Sequence, residues 1–340
     1  MTNNAYFSFD DVAIVSLEAC EAPEVVTSDS VDERLAGYYA HGEGKPGLLE
    51  SLAGVRERRQ WPAGFSFTDA AAMAGERAIE AAGIDRSRIG LLIDSSVCRA
   101  RLEPSSAVTV HNQLGLPSTC INFDVVNACL GFLNATQIAG VMIDAGQIEY
   151  ALIVDGEGTR EIYDNTIEHL LANGESLSDL LHNFATLTLG SGSAAMVVGR
   201  HSANPGSHQV LRGFFVAATE HHELCIGSLE GMTTDTRALL DAGTELAKLA
   251  WDDAGAGGTW GGRDRYILHQ VSEVHTNAMI DVLGIDPDRV PKTFPHYGNI
   301  GPAAIPITLA SIADTLDAGD SVLCMGIGSG LNAGVLEIRW

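Results

Sequence analysis

Cys129 is the residue of this chain whose setting points most directly to chemistry. It lies in Asn127-Ala128-Cys129-Leu130-Gly131-Phe132, where a β-type run at 120–126 gives way to a helical pattern at 130–143. A thiol at the start of a helix meets free N–H groups and the positive end of the helix dipole, which favour thiolate over thiol. That is the setting of a covalent nucleophile. The same residues also fit a buried junction in which small side chains and one cysteine simply pack, so a catalytic reading needs partners elsewhere.

The elements that must hold those partners alternate along the chain. Apolar β-type runs fall at 88–93, 121–126, 150–154, 194–198, 210–217, 266–270, 321–325 and 334–338, and helix-period segments at 67–82, 105–114, 130–145, 237–254, 273–283 and 303–316. This is the pattern of a layered α/β protein. The stretch 160–185 is polar and partly helical, and reads as an insertion. Two loops punctuate the chain, Asp253–Thr259 and Ser202–Gly206, the second marking a boundary between halves.

The halves repeat. Ile89-Gly90-Leu91-Leu92-Ile93, a helix ending Leu114-Gly115, Cys129, a helix and Tyr150–Val154 recur as Tyr266-Ile267-Leu268-His269, a helix ending Leu283-Gly284, Asn299, a helix and Ser321–Met325. The Leu-Gly pairs are offset by 169 residues (283 − 114), and Cys129 and Asn299 by 170 (299 − 129). A duplicated unit places Cys129 and Asn299 at equivalent strand-to-helix junctions, which a pseudo-twofold relation can bring together.

Leu52-Ala53-Gly54-Val55-Arg56-Glu57-Arg58-Arg59, the Cys129 segment, Ile267-Leu268-His269-Gln270, Tyr297-Gly298-Asn299-Ile300-Gly301 and Gly326-Ile327-Gly328-Ser329-Gly330 stand in the order found in the thiolase superfamily. They resemble its ketosynthase III branch, over nearly the whole chain. The resemblance implies an α/β thiolase fold of five layers, αβαβα, with an N-terminal half at 1–203 that carries the cysteine and the 160–185 insertion. The C-terminal half, 204–340, carries the histidine and asparagine. It also implies a triad: Cys129 as acyl-accepting nucleophile, with His269 and Asn299 donating to a thioester carbonyl as an enolate forms. The backbone N–H groups of Cys129 and Ser329 resemble the family's second oxyanion hole.

Arg101-Leu102-Glu103-Pro104-Ser105 resembles the segment of OleA-type enzymes that supplies a glutamate to the partner subunit's active site. Leu130 and the 185–193 segment also look OleA-like. Such enzymes join two fatty acyl-CoA molecules head to head without decarboxylation, which requires a base for the α-proton. Glu103 can serve if desolvation raises its pKa; from spacing alone it fits equally a carboxylate at a helix N-terminus. The implied activity is a Claisen-type acyltransferase giving a β-keto product for an olefin or β-lactone type pathway, with acyl-CoA as substrate, no cofactor or metal, and a homodimer as the assembly. The alternatives are a decarboxylative 3-oxoacyl-[acyl-carrier-protein] synthase III using a malonyl thioester, and a partner subunit in a heterodimer. Alkyl channels are expected around 160–185 and the Cys129 helix.

Composition agrees with such an enzyme. A 340-residue chain, 46% hydrophobic, buries a large core. Its net charge of −24 excludes a nucleic-acid surface, which needs clustered Lys and Arg. Arg56, Arg58, Arg59, Arg99 and Arg101 form its densest basic grouping, suited to the phosphates of coenzyme A. With no basic-apolar leader and no run near the roughly 20 apolar residues of a membrane span, a cytoplasmic protein with reduced thiols is expected. Gly326–Gly330 and Gly190–Ser193 lack the βα context of dinucleotide loops. His221-His222-Glu223-Leu224-Cys225 lacks the second histidine of an H-E-x-x-H zinc motif, and no Gly-x-Ser-x-Gly elbow occurs.

Overall fold

The computed structural model describes residues 5–41, 44–228, 231–252 and 259–340. In chain order its strands are β1 (Tyr6–Ser8), β2 (Ala13–Glu21), β3 (Glu24–Thr27), β4 (Glu57–Gln60), β5 (Ile89–Asp94), β6 (Ile121–Asp124), β7 (Tyr150–Glu157), β8 (Gly192–Gly199), β9 (His208–Ala217), β10 (Cys225–Gly227), β11 (Met232–Thr234), β12 (Arg265–Leu268), β13 (Ser321–Gly328) and β14 (Asn332–Arg339). The helices are α1 (Ser28–Arg34), α2 (Ala36–Tyr39), α3 (Leu48–Ala53), α4 (Phe67–Ala82), α5 (Ser106–Gln113), α6 (Gly131–Asp144), α7 (Arg160–Asn173), α8 (Leu177–Leu187), α9 (Thr236–Asp252), α10 (Glu273–Leu283), α11 (Phe294–Tyr297) and α12 (Ala304–Ile312).

The main strands run in the order β12-β13-β14-β9-β2-β8-β7-β5-β6, with β1 added beside β9. Strands β2 and β9 pair only at Ala13↔Gln209 and Ile14↔His208. The path is therefore two sheets joined at a narrow seam, one from each half of the chain. Alternation along each strand shows what covers them. Ala151 and Ile153 of β7 point into one core with Leu133, Ala135 and Ala139 of α6, while Tyr150, Leu152 and Val154 point into another with Ala70, Ala74 and Ala78 of α4. In β13, Val322 and Cys324 join the α6 and α12 core, and Leu323 and Met325 face Ala250, Ile280 and Leu283 of α9 and α10. Both sheets thus share the central layer α6/α12 and carry α4/α5 or α9/α10 outside, which gives five layers.

The repeat is visible in the caps as well as the layers. Helices α5 and α10 both stop at a Leu-Gly pair, and Gly115 and Gly284 take φ of 60° and 63°, a left-handed conformation that glycine adopts without a Cβ clash. Strand β6 has no strand counterpart in the second half among the described residues.

Two readings need amendment. Strand β2, central to the architecture, is absent from the expected strands. The polar insertion is two packed helices: Tyr163, Ile167 and Leu170 of α7 and Leu180 and Leu187 of α8 bury against Val31, Leu35 and Tyr38. Ser176 and Asp179 close a reciprocal capping box at the start of α8. The loop read at Asp253–Thr259 and the last residues of the 237–254 helix lie, except for Thr259, outside the described residues. The turn read at Ser202–Gly206 joins β8 to β9.

Candidate active site

A cavity of about 1460 Å³ is lined by Cys129, His269, Asn299 and Ser329. Each comes from a different junction. The chain leaves β6 with Val125 N–H donating to Asp94 O at 2.9 Å, then turns sharply: Leu130 N–H donates to Asn127 O at 3.0 Å and Gly131 N–H to Ala128 O at 3.2 Å. Ala128 takes φ of 44°, in the left-handed region; an alanine there is strained by about 1–3 kcal/mol. That elbow sets Cys129 just ahead of α6. The elbow is also pinned by its side chain, since Asn332 Nδ2 donates to Asn127 Oδ1 at 3.1 Å and Asn127 Nδ2 to Asn134 Oδ1 at 2.8 Å. A Cβ on Gly131 would stand 2.9 Å from Ser95 O and Val125 O, and one on Gly328 would stand 3.0 Å from Asn127 O and 3.4 Å from Cys129 N. Small residues let the turn that carries Ser329 close over the nucleophile.

His269 follows β12, and its N–H donates to Met325 O at 2.8 Å, extending the parallel ladder with β13 by one step. Burial pulls its imidazole down to about 3, and His275 acts in the same direction. The ring is neutral at physiological pH, with one N–H and one lone pair to use. Its Nδ1 is buried without a partner among the described residues. Asn299 is held by its backbone, donating to Thr188 O and accepting from Gly190 N–H, both at 2.9 Å. Asn299 Oδ1 accepts the Gly301 N–H at 3.0 Å. With the oxygen occupied, the Nδ2 amide is the donor left for a ligand. Asn299→Ala is therefore expected to lower kcat/KM by roughly 100- to 1000-fold, the loss that follows removal of an oxyanion donor, in steady-state kinetics with acyl-CoA.

The thiolate expected from the helix start is not what the site holds. Burial pushes the Cys129 thiol up to about 12, and Cys225, Glu157 and Asp155 add to the rise. Burial is the largest cause, and the carboxylates, from the end of β7, add to it only after Cys225. The resting nucleophile is a neutral thiol whose proton must leave during attack.

Glu103 does not line this cavity. It is exposed, beside Leu102 at 100% exposure, on the loop between β5 and α5 whose residues 97–102 line the cavity. The basic grouping is also divided. Arg58 is fully buried, donating to Ser28 Oγ at 3.2 Å, and Arg59 pairs with Glu21 at 2.8 Å; neither lines the cavity, nor does Arg56, whereas Arg99 and Arg101 do. Arg237, at the start of α9, lines the cavity with no ion pair among the described residues. Ile162, Leu181 and Phe184 line the expected alkyl region near the insertion; contrary to expectation, no residue of α6, the Cys129 helix, lines the cavity, and Ala247, Met279, Leu283 and Val335 line an apolar region against α9 and α10 instead.

Glu157, missed in the sequence, stands with Asp94 and Asp155 at the ends of β5 and β7. A carboxylate closing the apolar run of β7 was the available signal. Burial raises all three, Asp94 to about 6, Glu157 to about 7 and Asp155 well above its ordinary value, and Asp94 adds to the rise of both Glu157 and Asp155. The unfolded chain releases the Glu157 proton near 4.5, so this group's contribution to stability is fully present below that pH and is lost as pH rises to about 7. His269 and His275, held down by burial, act oppositely, losing stability as pH falls below 6.5. In urea unfolding, Glu157→Gln is therefore expected to gain stability relative to the unsubstituted protein as pH rises from 5 to 8.

Two family models match the chain. The 3-oxoacyl-[acyl-carrier-protein] synthase III model covers residues 123–214 and its C-terminal companion residues 254–340. The acyl-CoA:acyl-CoA alkyltransferase of Xanthomonas campestris is 40% identical over 336 residues, spanning 98% of this chain and 99% of that protein. The enzyme of the same description from Shewanella oneidensis is 35% identical, spanning 98% and 99%. A crystal structure of a Cys→Ser variant of X. campestris OleA with bound lauric acid and lauroyl-CoA superposes with a TM-score of 0.94 at 39% identity, covering 98% of this chain and all of that one. Another solved variant of that protein replaces a glutamate 26 residues before the cysteine, the separation of Glu103 from Cys129. The chain is a condensing acyltransferase of the thiolase-fold 3-oxoacyl-[acyl-carrier-protein] synthase III family and belongs to its OleA-type branch.

Proposed function

We propose that this protein joins two fatty acyl-CoA molecules by a Claisen condensation without decarboxylation, through an acyl group on Cys129. The observation that carries the reading is the cavity: apolar side chains of α7 and α8 and of α9 and α10 line one space together with Cys129, a neutral imidazole and a free amide donor. At about 1460 Å³ it exceeds the roughly 300–1,000 Å³ of a site for one drug-sized ligand. In the first half-reaction Cys129 Sγ bonds to the acyl carbon, the bond to the coenzyme A sulfur breaks, and the thiol proton passes through His269 to that leaving sulfur. In the second, a base takes the α-proton of the other acyl-CoA while His269 and Asn299 Nδ2 donate to its carbonyl oxygen. The α-carbon then attacks the acyl carbon, and the sulfur of Cys129 leaves with the electron pair and recovers a proton from the base.

Glu103 fits that base through a second subunit. Glu103 does not line its own cavity, although Val97 to Leu102 just before it do, and the edge strand β6 exposes Ile121 beside Val126, with Val97 and Leu102 also exposed. An uncovered apolar edge of this kind suits pairing with another copy, and the 26-residue spacing shared with the relative supports the residue. A homodimer in which each subunit lends Glu103 to the other follows. Coenzyme A phosphates would meet Arg99, Arg101 and Arg237 at the cavity. Among the described residues, no helix is long and apolar enough to cross a membrane. Incubation with a single acyl-CoA should yield the β-ketoacyl-CoA without any malonyl thioester, and, once water hydrolyses its thioester and releases coenzyme A, the β-keto acid and by loss of carbon dioxide its ketone; an absolute malonyl requirement would support the decarboxylative alternative instead.

A further inference from the structure

The loop that carries Glu103 is fastened at both ends by carboxylates, and one of these lines the cavity of Cys129. At the start of the loop, Glu157 Oε1 accepts the Val97 N–H at 2.6 Å and Oε2 accepts the Cys98 N–H at 3.3 Å. The next residue repeats the grip: Gly158 N–H donates to Cys98 Sγ at 3.3 Å, and the Cys98 thiol donates to Gly158 O at 3.6 Å. At the other end Asp124 accepts the N–H groups of Ser106 at 3.0 Å and Ala107 at 2.8 Å and pairs with Arg99 at 3.4 Å. Arg99 donates to Cys98 O at 2.9 Å and to Ser106 Oγ at 3.2 Å, which ties the two ends together. Between these anchors residues 101–104 are exposed. The loop is a short arm with a fixed base and an exposed tip, whose Arg101 also donates to Thr109 Oγ1 at 2.7 Å.

Packing does not account for Glu157. An apolar side chain of similar length would fill its volume without the desolvation penalty of a buried carboxylate. What the carboxylate supplies is two acceptor oxygens on adjacent N–H groups, a fork that sets both the position and the direction of a peptide. A base misplaced by about 1 Å loses on the order of 100-fold in rate, so the direction of the arm matters to whatever Glu103 reaches.

We propose that Glu157 is a positioning residue for condensation: it sets the base of the arm that carries Glu103, and so serves the partner's Cys129 rather than the cysteine in its own cavity. The inference rests on delivery of Glu103 between subunits. Differently tagged, co-expressed heterodimers test both. One subunit carries Cys129→Ala and keeps Glu103; the other carries Glu103→Gln and keeps Cys129, so only one complete site exists. Adding Glu157→Gln to the arm-donating subunit should lower condensation about 100-fold, whereas adding it to the Cys129-bearing subunit should have less than a tenth of that effect. Acylation of Cys129, read by intact mass, should proceed in both. General structural damage would not depend on placement in this way. Equal losses, or a loss confined to the Cys129-bearing subunit, would overturn the proposal. If the heterodimer without a Glu157 substitution condenses no better than a Glu103→Gln homodimer, delivery in trans falls and the proposal with it. Should Glu157→Gln fail to assemble, Asp124→Asn at the other end of the arm carries the same expectation.

Discussion

Cys129→Ala is expected to abolish both the covalent adduct and the product, with condensation falling by roughly 10⁴- to 10⁶-fold, as when the nucleophile of a catalytic unit is removed. The size follows from what replaces it. No other thiol shares the elbow created by Ala128, and Cys225, which lines the same cavity from β10, lacks a position at the start of α6 and the overlying Gly328 turn. The protein should stay folded, since Cys129 is only half-buried and alanine removes one sulfur. Intact-mass spectrometry after incubation with acyl-CoA would show one acyl group on the unsubstituted protein and none on the variant. An adduct persisting on the variant would place the nucleophile elsewhere, with Cys225 the first residue to examine.

Glu103→Gln is expected to separate the two half-reactions. Acyl transfer to Cys129 uses no α-proton and should continue, while carbon–carbon bond formation should fall by roughly 100- to 10,000-fold for loss of a general base. The acyl-enzyme would then accumulate. Glutamine keeps the length and shape of the side chain on an exposed loop, so a fall in condensation with acylation intact cannot come from unfolding. Glu103→Asp should recover part of the rate, since the carboxylate remains but is withdrawn by one methylene. Loss of acylation as well would show that Glu103 acts in the first half-reaction; no loss at all would remove it as the base.

The architecture was legible where the signal was repeated. Cys129 and Asn299 could be aligned because α6 and α12, β7 and β13, and α5 and α10 recur with a near-constant offset, and the Leu-Gly helix ends survive as left-handed glycines. Strand β2 escaped because its alternation is broken: the register shifts between Ile14 and Ser16, and Glu18 and Glu21 interrupt the apolar face. The basic grouping misled for a related reason. Neighbours in a strand point to opposite sides, and in β4 Arg58 turns fully inward while Arg59 meets Glu21. The charge state of Cys129 was beyond local reading altogether. A helix start is a local feature, but the burial that mainly raises the thiol comes from layers folded over it. Glu157 is hidden by the same non-locality: its partners, Val97 and Cys98, lie about 60 residues away.

A crossed single-turnover experiment decides whether the two acyl chains are joined without decarboxylation. Cys129 is first acylated with one acyl-CoA, excess substrate is removed, and a second acyl-CoA of different chain length is added without malonyl thioester. The account predicts loss of the adduct mass together with a β-keto product that retains every carbon of both acyl chains before any later breakdown. An acyl-enzyme that stays loaded under these conditions and turns over only when malonyl thioester is supplied, releasing carbon dioxide, would contradict it.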